Sequence, residues 1–96
     1  MGSKRILYRK VVDEEGNVLE TVIWRVPVSA KAPDGVRYRL AFITAGMREP
    51  AVLYDNHHPK GHHRHVEGVQ EPYRFETVDK LVRDFKADVE RVRRRR

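Results

Sequence analysis

All five histidines of this 96-residue chain fall between positions 57 and 65, in the run Tyr54-Asp55-Asn56-His57-His58-Pro59-Lys60-Gly61-His62-His63-Arg64-His65. Histidine is the side chain whose unperturbed pKa lies nearest neutrality, so a cluster of imidazoles supplies proton donors, proton acceptors or metal ligands. Lys60 and Arg64 add fixed positive charge, which makes an anionic ligand or reacting group the expectation. Pro59-Lys60-Gly61 has the composition of a turn, because proline presets one position and glycine tolerates the reversal. If both arms of such a hairpin are extended, Asp55 and His57 share a face on the incoming strand. His63 and His65 share one on the outgoing strand, with His62 and Arg64 opposite. The two pairs then meet across the hairpin.

That constellation matches the needs of RNA cleavage without a metal. One imidazole takes the proton of a 2′-OH, a second protonates the leaving 5′-oxygen, and a cation stabilises the charge on phosphorus. The candidate catalytic residues are His57, His63, His65 and Asp55, the carboxylate orienting an imidazole; Lys60, Arg64 and Tyr54 are the candidate substrate-binding residues. No cofactor is expected on this reading. A second chemistry is open, in which His57, His63 and His65 hold zinc, nickel or copper, although the adjacent cations oppose a divalent ion and no thiolate is present. A third reading makes the run a non-catalytic surface for RNA or protein.

These residues need elements to position them. Arg5 to Val12 and Val18 to Val28 are rich in β-branched, aliphatic and aromatic residues, and they flank a Gly16-Asn17 turn; they predict a β-hairpin. Pro33-Asp34-Gly35 marks a surface loop. From Val36 to Thr44 the alternation predicts a strand with Val36, Tyr38, Leu40, Phe42 and Thr44 on one face, and Ala51 to Asn56 predicts a fourth that leads into the histidines. Gly68, Gln70 and Pro72 are expected to interrupt regular structure. Thr77 reads as an N-cap, and Val78, Leu81, Val82, Phe85, Val89 and Val92 form the apolar stripe of an amphipathic helix whose polar face includes Asp88. The predicted fold is α+β: a four-stranded antiparallel sheet covered on one face by a C-terminal helix. Its other face is expected to carry some of Arg9, Arg25, Arg37 and Arg39.

Length predicts a single domain over residues 1–96, with 1–4 and 93–96 loose. The net charge of +6 is unevenly spread: Arg91 and Arg93 to Arg96 supply five of 20 basic side chains, leaving 15 against 14 acidic ones over the first 90 residues. The excess reads as a tail, either a solvated helix end that complements the macrodipole or an arm for RNA. With no cysteine, disulfides and thiol chemistry are excluded. No apolar run nears the roughly 20 residues that span a bilayer, so a soluble cytoplasmic protein is expected, with no membrane contact.

Several segments together resemble one family. Tyr54-Asp55-Asn56-His57, Lys60-Gly61-x-His63-Arg64-His65, Glu71-Pro72-Tyr73-x-Phe75 and Leu81-x-x-Asp84-Phe85 are similar to the TumE-type toxins of bacterial and archaeal toxin-antitoxin pairs. Val22-Ile23-Trp24-x-Val26-Pro27 and Tyr38-Arg39-Leu40 extend the likeness over nearly the whole chain. Family members often carry Gly in place of Pro59 and an acidic residue in place of His62. The resemblance implies a small growth-inhibiting protein of a type II pair that acts on RNA. Its partner would be a cognate antitoxin, a small DNA-binding protein encoded nearby. A homodimer is left open.

Overall fold

The computed structural model describes residues 2–95. Met1 and Arg96 lie outside the described residues, and with them the extremes of the two stretches expected to be loose. Six strands run in chain order through one antiparallel sheet: β1 (Lys4–Val12), β2 (Val18–Arg25), β3 (Val36–Ile43), β4 (Val52–Asp55), β5 (His63–Val66) and β6 (Val69–Pro72). The helix α1 (Val78–Arg94) follows.

Strand and turn chemistry explain this order. Asp13 closes the β1–β2 turn by accepting from the backbone N–H groups of Glu15 and Asn17, each at 2.9 Å. Gly16 sits there at φ +87°, where a side chain is disfavoured. One extra residue between Arg5 and Leu7 makes a bulge. Arg5 is thereby opposite Trp24 and Leu7 opposite Ile23, so the bulge sends two residues of like parity to opposite faces.

The expected four-stranded sheet is corrected to six, because the segment after the histidines is a second short hairpin. Its two turn residues, Glu67 at φ +48° and Gly68 at φ +86°, both adopt the left-handed conformation that a two-residue hairpin connection requires. Gly68 therefore makes the turn where it was expected to break structure. Gln70 lies within β6, and Pro72 ends it on the outer edge of the sheet, where a missing N–H breaks no ladder bond.

Alternation divides the sheet into two faces. Ile23 on β2, Tyr38, Leu40 and Phe42 on β3, and Val52 and Tyr54 on β4 are buried beneath Leu81, Phe85, Val89 and Val92 of α1. Each large apolar side chain so buried contributes about 1.5–3 kcal/mol. Thr77 caps the helix as expected: its backbone is extended and its Oγ1 accepts from Lys80 N at 3.1 Å. Asp79 in the first turn and Arg91, Arg93 and Arg94 in the last complement the macrodipole.

As far as Arg95 the arginine run is accordingly the end of a helix tied to the fold. Arg91 pairs with Asp88, Arg93 with Asp13 at 3.1 Å, and Arg95 with Glu67 at 3.4 Å. Lys4 likewise pairs within β1, opposite Arg25.

Candidate functional site

The face of the sheet away from the helix has no covering helix or strand among the described residues, and the histidine hairpin places Asp55, His63 and His65 on it, with His63 itself buried at 6% exposed. Its two arms are β4 and β5, in the register Asp55 opposite His63 and Leu53 opposite His65. The same rung continues through Arg39 on β3 and Val22 on β2, so Val22, Arg39, Asp55 and His63 form one row across four strands. Arg37 stands one rung along, opposite Trp24. Arg9, opposite Thr21, is on the helix side instead. So is Arg25, opposite Val36.

Beyond the last residue of β4, Asn56 stands in for the next ladder rung. Its Oδ1 accepts from Tyr38 N at 2.9 Å and its Nδ2 donates to Val36 O at 2.8 Å. This buried amide holds the exit of β4 against β3 and so fixes where His57 begins. Asp55 Oδ1 accepts from His57 N at 3.0 Å and stands 3.3 Å from His63 Nε2. His63 is also held from behind, its Nδ1 at 2.9 Å from Gly61 O. A carbonyl only accepts, so Nδ1 carries a proton; the Asp55 carboxylate also only accepts, so both contacts are satisfied together when Nε2 carries a proton as well. The His65 ring meets His63 edge-on with centroids 5.3 Å apart. It has no hydrogen-bond partner among the described residues.

His57 is exposed and borders a depression of about 260 Å³ with Val22, Trp24, Arg37, Tyr38 and Arg39. Lys60, at the exposed tip of the hairpin, reaches only Gln70 among the described residues, at 3.5 Å. The candidate catalytic residues Asp55, His57, His63 and His65 are thus on one face. Asp55, His63 and His65 form a contiguous group, with His57 at its margin.

Tyr54 and Arg64 stand elsewhere. Both point under α1, where the Tyr54 hydroxyl donates to Asp88 and Arg64 Nη1 donates to Asp88 at 2.9 Å and to the Tyr54 oxygen at 3.1 Å. Arg64 Nε also donates to Glu71 Oε1 at 2.6 Å, and Arg91 pairs with the second Asp88 oxygen. Burial, then the bond to Asp88, pushes the Tyr54 hydroxyl well above its ordinary value. The hydrogen bond with Tyr54 and the pair with Glu71 hold Arg64 still more firmly charged than usual.

Asp88 was expected on the polar face of the helix, yet it is 2% exposed. The signal lay in the spacing: Leu81, Phe85, Asp88 and Val92 follow the four- and three-residue steps of a buried stripe.

His62, the remaining histidine of β5's approach, is used structurally. It packs in a cluster of three rings with Tyr38 and Phe75, at centroid distances of 5.6 and 5.0 Å, the other two rings being 6.0 Å from each other. Its Nε2 is 2.7 Å from Asp34 and its Nδ1 is 2.8 Å from the Tyr38 hydroxyl. The tautomer with the proton on Nε2 satisfies both contacts, donating to the carboxylate and accepting from the phenol. Burial raises the Tyr38 hydroxyl far above its ordinary value, which keeps it a donor. No spacing rule reveals this triad, because Asp34, Tyr38 and Phe75 come from three separate segments.

Among the described residues no three His, Asp or Glu side chains stand close enough to share a metal ion. The alternative set of His57, His63 and His65 is not gathered around one point.

Fold and site together define a class: a small α+β protein in which a helix seals one face of an antiparallel meander while the other presents imidazoles, a carboxylate and arginines. The chain belongs to the TumE toxin family, whose model, described as toxin TumE, matches residues 3–93. Neither a curated protein nor a solved structure matches the chain. Membership in a toxin family implies a cognate antitoxin as partner. No helix among the described residues is long and apolar enough to cross a membrane.

Proposed function

We propose that this toxin belongs to a type II pair and inhibits growth by cutting RNA, using proton transfer by His63 and His65. The observation that carries the reading is the arrangement of Asp55, His63 and His65 on the uncovered face. His63 has one nitrogen fixed on a backbone carbonyl, the other beside a carboxylate, and a second imidazole within 5.3 Å. In this reading His65 takes the proton of the 2′-OH as that oxygen attacks phosphorus. His63, in its protonated form beside Asp55, gives its Nε2 proton to the departing 5′-oxygen. The bond from phosphorus to the 5′-oxygen breaks as the bond to the 2′-oxygen forms. The products are a 2′,3′-cyclic phosphate and a free 5′-hydroxyl. Lys60 at the hairpin tip and Arg39 in the Asp55 row are the cations nearest the developing charge.

The mechanism needs no metal, and a substrate with deoxyribose at the cleaved position lacks the nucleophile. Cleavage of a defined RNA in excess EDTA, followed by end-group analysis and a single deoxy substitution, tests it. Cyclic phosphate ends formed in EDTA, and an inert deoxy substrate, are the expected result. Cleavage abolished by EDTA, or a deoxy substrate that is cut, would overturn the mechanism.

A further inference from the structure

On the same uncovered face, strands β1 to β3 carry an arrangement that acid-base chemistry does not use. Trp24 and Tyr8 are 36% and 49% exposed, although large aromatic rings ordinarily dominate cores. The Arg5 guanidinium lies over both, 5.0 Å from the Tyr8 ring centre and 5.9 Å from that of Trp24. Only the bulge in β1 brings Arg5 to this side. Arg37 neighbours Trp24 and has no ion pair among the described residues. Among the described residues Arg39 has only a long contact to Glu20 at 3.9 Å, the two side chains being 49% and 29% exposed. Such a pair is worth little and is readily exchanged for another anion. Beside Trp24 is the depression bounded by Val22, Arg37, Arg39 and His57. Its floor is apolar and its rim is cationic.

We infer that this strip is a binding track for single-stranded RNA, in which a nucleobase stacks on Trp24 in the depression while Arg37 and Arg39 hold the flanking phosphates. The inference rests on the ribonuclease reading and names its substrate class. Exposed aromatic faces interleaved with arginines recognise unpaired bases, because every base has a π-face and a duplex keeps its own faces stacked. The register supplies the path. Arg39 is opposite Asp55 and Asp55 is opposite His63, so the depression lies about two strand spacings, roughly 10 Å, from the acid-base pair. Neighbouring nucleotides of one strand span such a gap. A protein partner on this face would need acidic groups for three arginines and an apolar plug for the depression; one strand of RNA supplies both in alternation.

Trp24 is the chain's single tryptophan, so its fluorescence reports on the depression alone. The probe is a short 2′-O-methyl oligoribonucleotide, which cannot supply the nucleophile and so is not cut. Titration is expected to quench Trp24 saturably, and a duplex of the same sequence to bind more weakly. Trp24→Ala, followed by the anisotropy of a labelled probe, is expected to weaken binding about tenfold, with Trp24→Phe restoring much of it. The double variant R37Q/R39Q should lower the slope of log affinity against log salt by about 1.4. Each variant is first compared with wild type by thermal unfolding, and the Phe variant controls for a fold that does not tolerate alanine.

If wild-type protein cuts RNA but neither Trp24→Ala nor R37Q/R39Q changes binding, the track is wrong and the ribonuclease reading stands. If Trp24 is quenched and the variants behave as stated while no RNA is ever cut, the track stands and the catalytic reading falls. A Trp24 signal that responds to the antitoxin and not to the oligoribonucleotide overturns the track in favour of a protein interface.

Discussion

Removing Asp88 should expose how much of this small domain depends on one buried carboxylate. In the folded chain Asp88 accepts from the Tyr54 hydroxyl, from Arg64 and from Arg91; Arg64 also holds Glu71, but the Tyr54 hydroxyl has no other acceptor among the described residues. Asp88→Ala leaves the fully buried Tyr54 hydroxyl facing Arg64 alone, a loss of about 1–3 kcal/mol for an unsatisfied polar group. It also breaks a charge pair on the inner side of the sheet, which costs about 3–5 kcal/mol when both partners are buried. Here the Arg64 and Arg91 side chains are 30% and 53% exposed and recover water, so that second figure must be cut heavily. A total near 3 kcal/mol is expected. For a domain of this size that lowers the unfolding midpoint by about 12–24 °C. Asp88→Asn, which keeps an acceptor of the same shape, should cost about half as much. Thermal and urea unfolding give the numbers. RNA cleavage by Asp88→Ala, measured far below its midpoint, should match wild type. A variant within about 1 kcal/mol of wild type would refute the reasoning about the network. A stable variant with lost cleavage would move Arg64 and Tyr54 from architecture to chemistry.

Other outcomes follow from the same geometry. His63→Ala and His65→Ala should each relieve growth inhibition and slow RNA cleavage by about 100-fold or more; His65→Ala should unfold near the wild-type midpoint, while loss of the buried His63 from Gly61 O and Asp55 should cost about 1–3 kcal/mol, and a folded variant that is fully toxic would remove that histidine from the mechanism. Thr77→Ala should destabilise by about 1 kcal/mol, read by urea unfolding, because the Lys80 N–H loses its acceptor. Burial raises the Tyr38 hydroxyl, and burial with the bonds to Asp88 and Asp84 raises Tyr54 and Tyr73. Their folded values exceed the unfolded value of about 10, so the stability they lend is intact below that pH and drains away above it. Phenolate absorbance from these three should therefore rise together with unfolding. Burial alone would raise Asp84, but bonds from Lys80 and Tyr73 outweigh it and hold the carboxyl below its ordinary range. That contribution is complete above about pH 4 and lost below it, so Asp84→Asn should flatten the acid limb of a stability profile.

The parts of this fold that could be read in the sequence are those governed by period alone. The alternation from Val36 to Thr44 assigned the buried face of β3 residue by residue, and the stripe from Val78 to Val92 assigned the helix. Parity along the histidine hairpin also brought Asp55 to one face with His63 and His65 and set Arg64 on the other. The omissions have a common cause, in that the deciding partner is distant in the chain. Arg64 reads as a phosphate ligand in a run of five histidines, and only α1 supplies Asp88 to occupy it. His62 looks like its neighbours until Asp34, Tyr38 and Phe75 arrive from three other segments. The last hairpin was hidden by its turn, since Glu67-Gly68 lacks the Asn or Asp that usually marks two left-handed residues.

The opposed faces of β4 and β5 have a consequence for how this chain tolerates change. Neighbouring residues answer to different demands: Asp55, His63 and His65 look outward to the face where chemistry would occur, while Val52, Tyr54, Arg64 and Val66 look inward to the helix. Saturation mutagenesis read out by toxicity should therefore produce a comb with a period of two. Damage at the inward teeth acts through the folded population and should be repaired by lower growth temperature or by a stabilising change elsewhere. Damage at the outward teeth should persist under both, because a folded chain that lacks its proton carrier gains nothing from being colder.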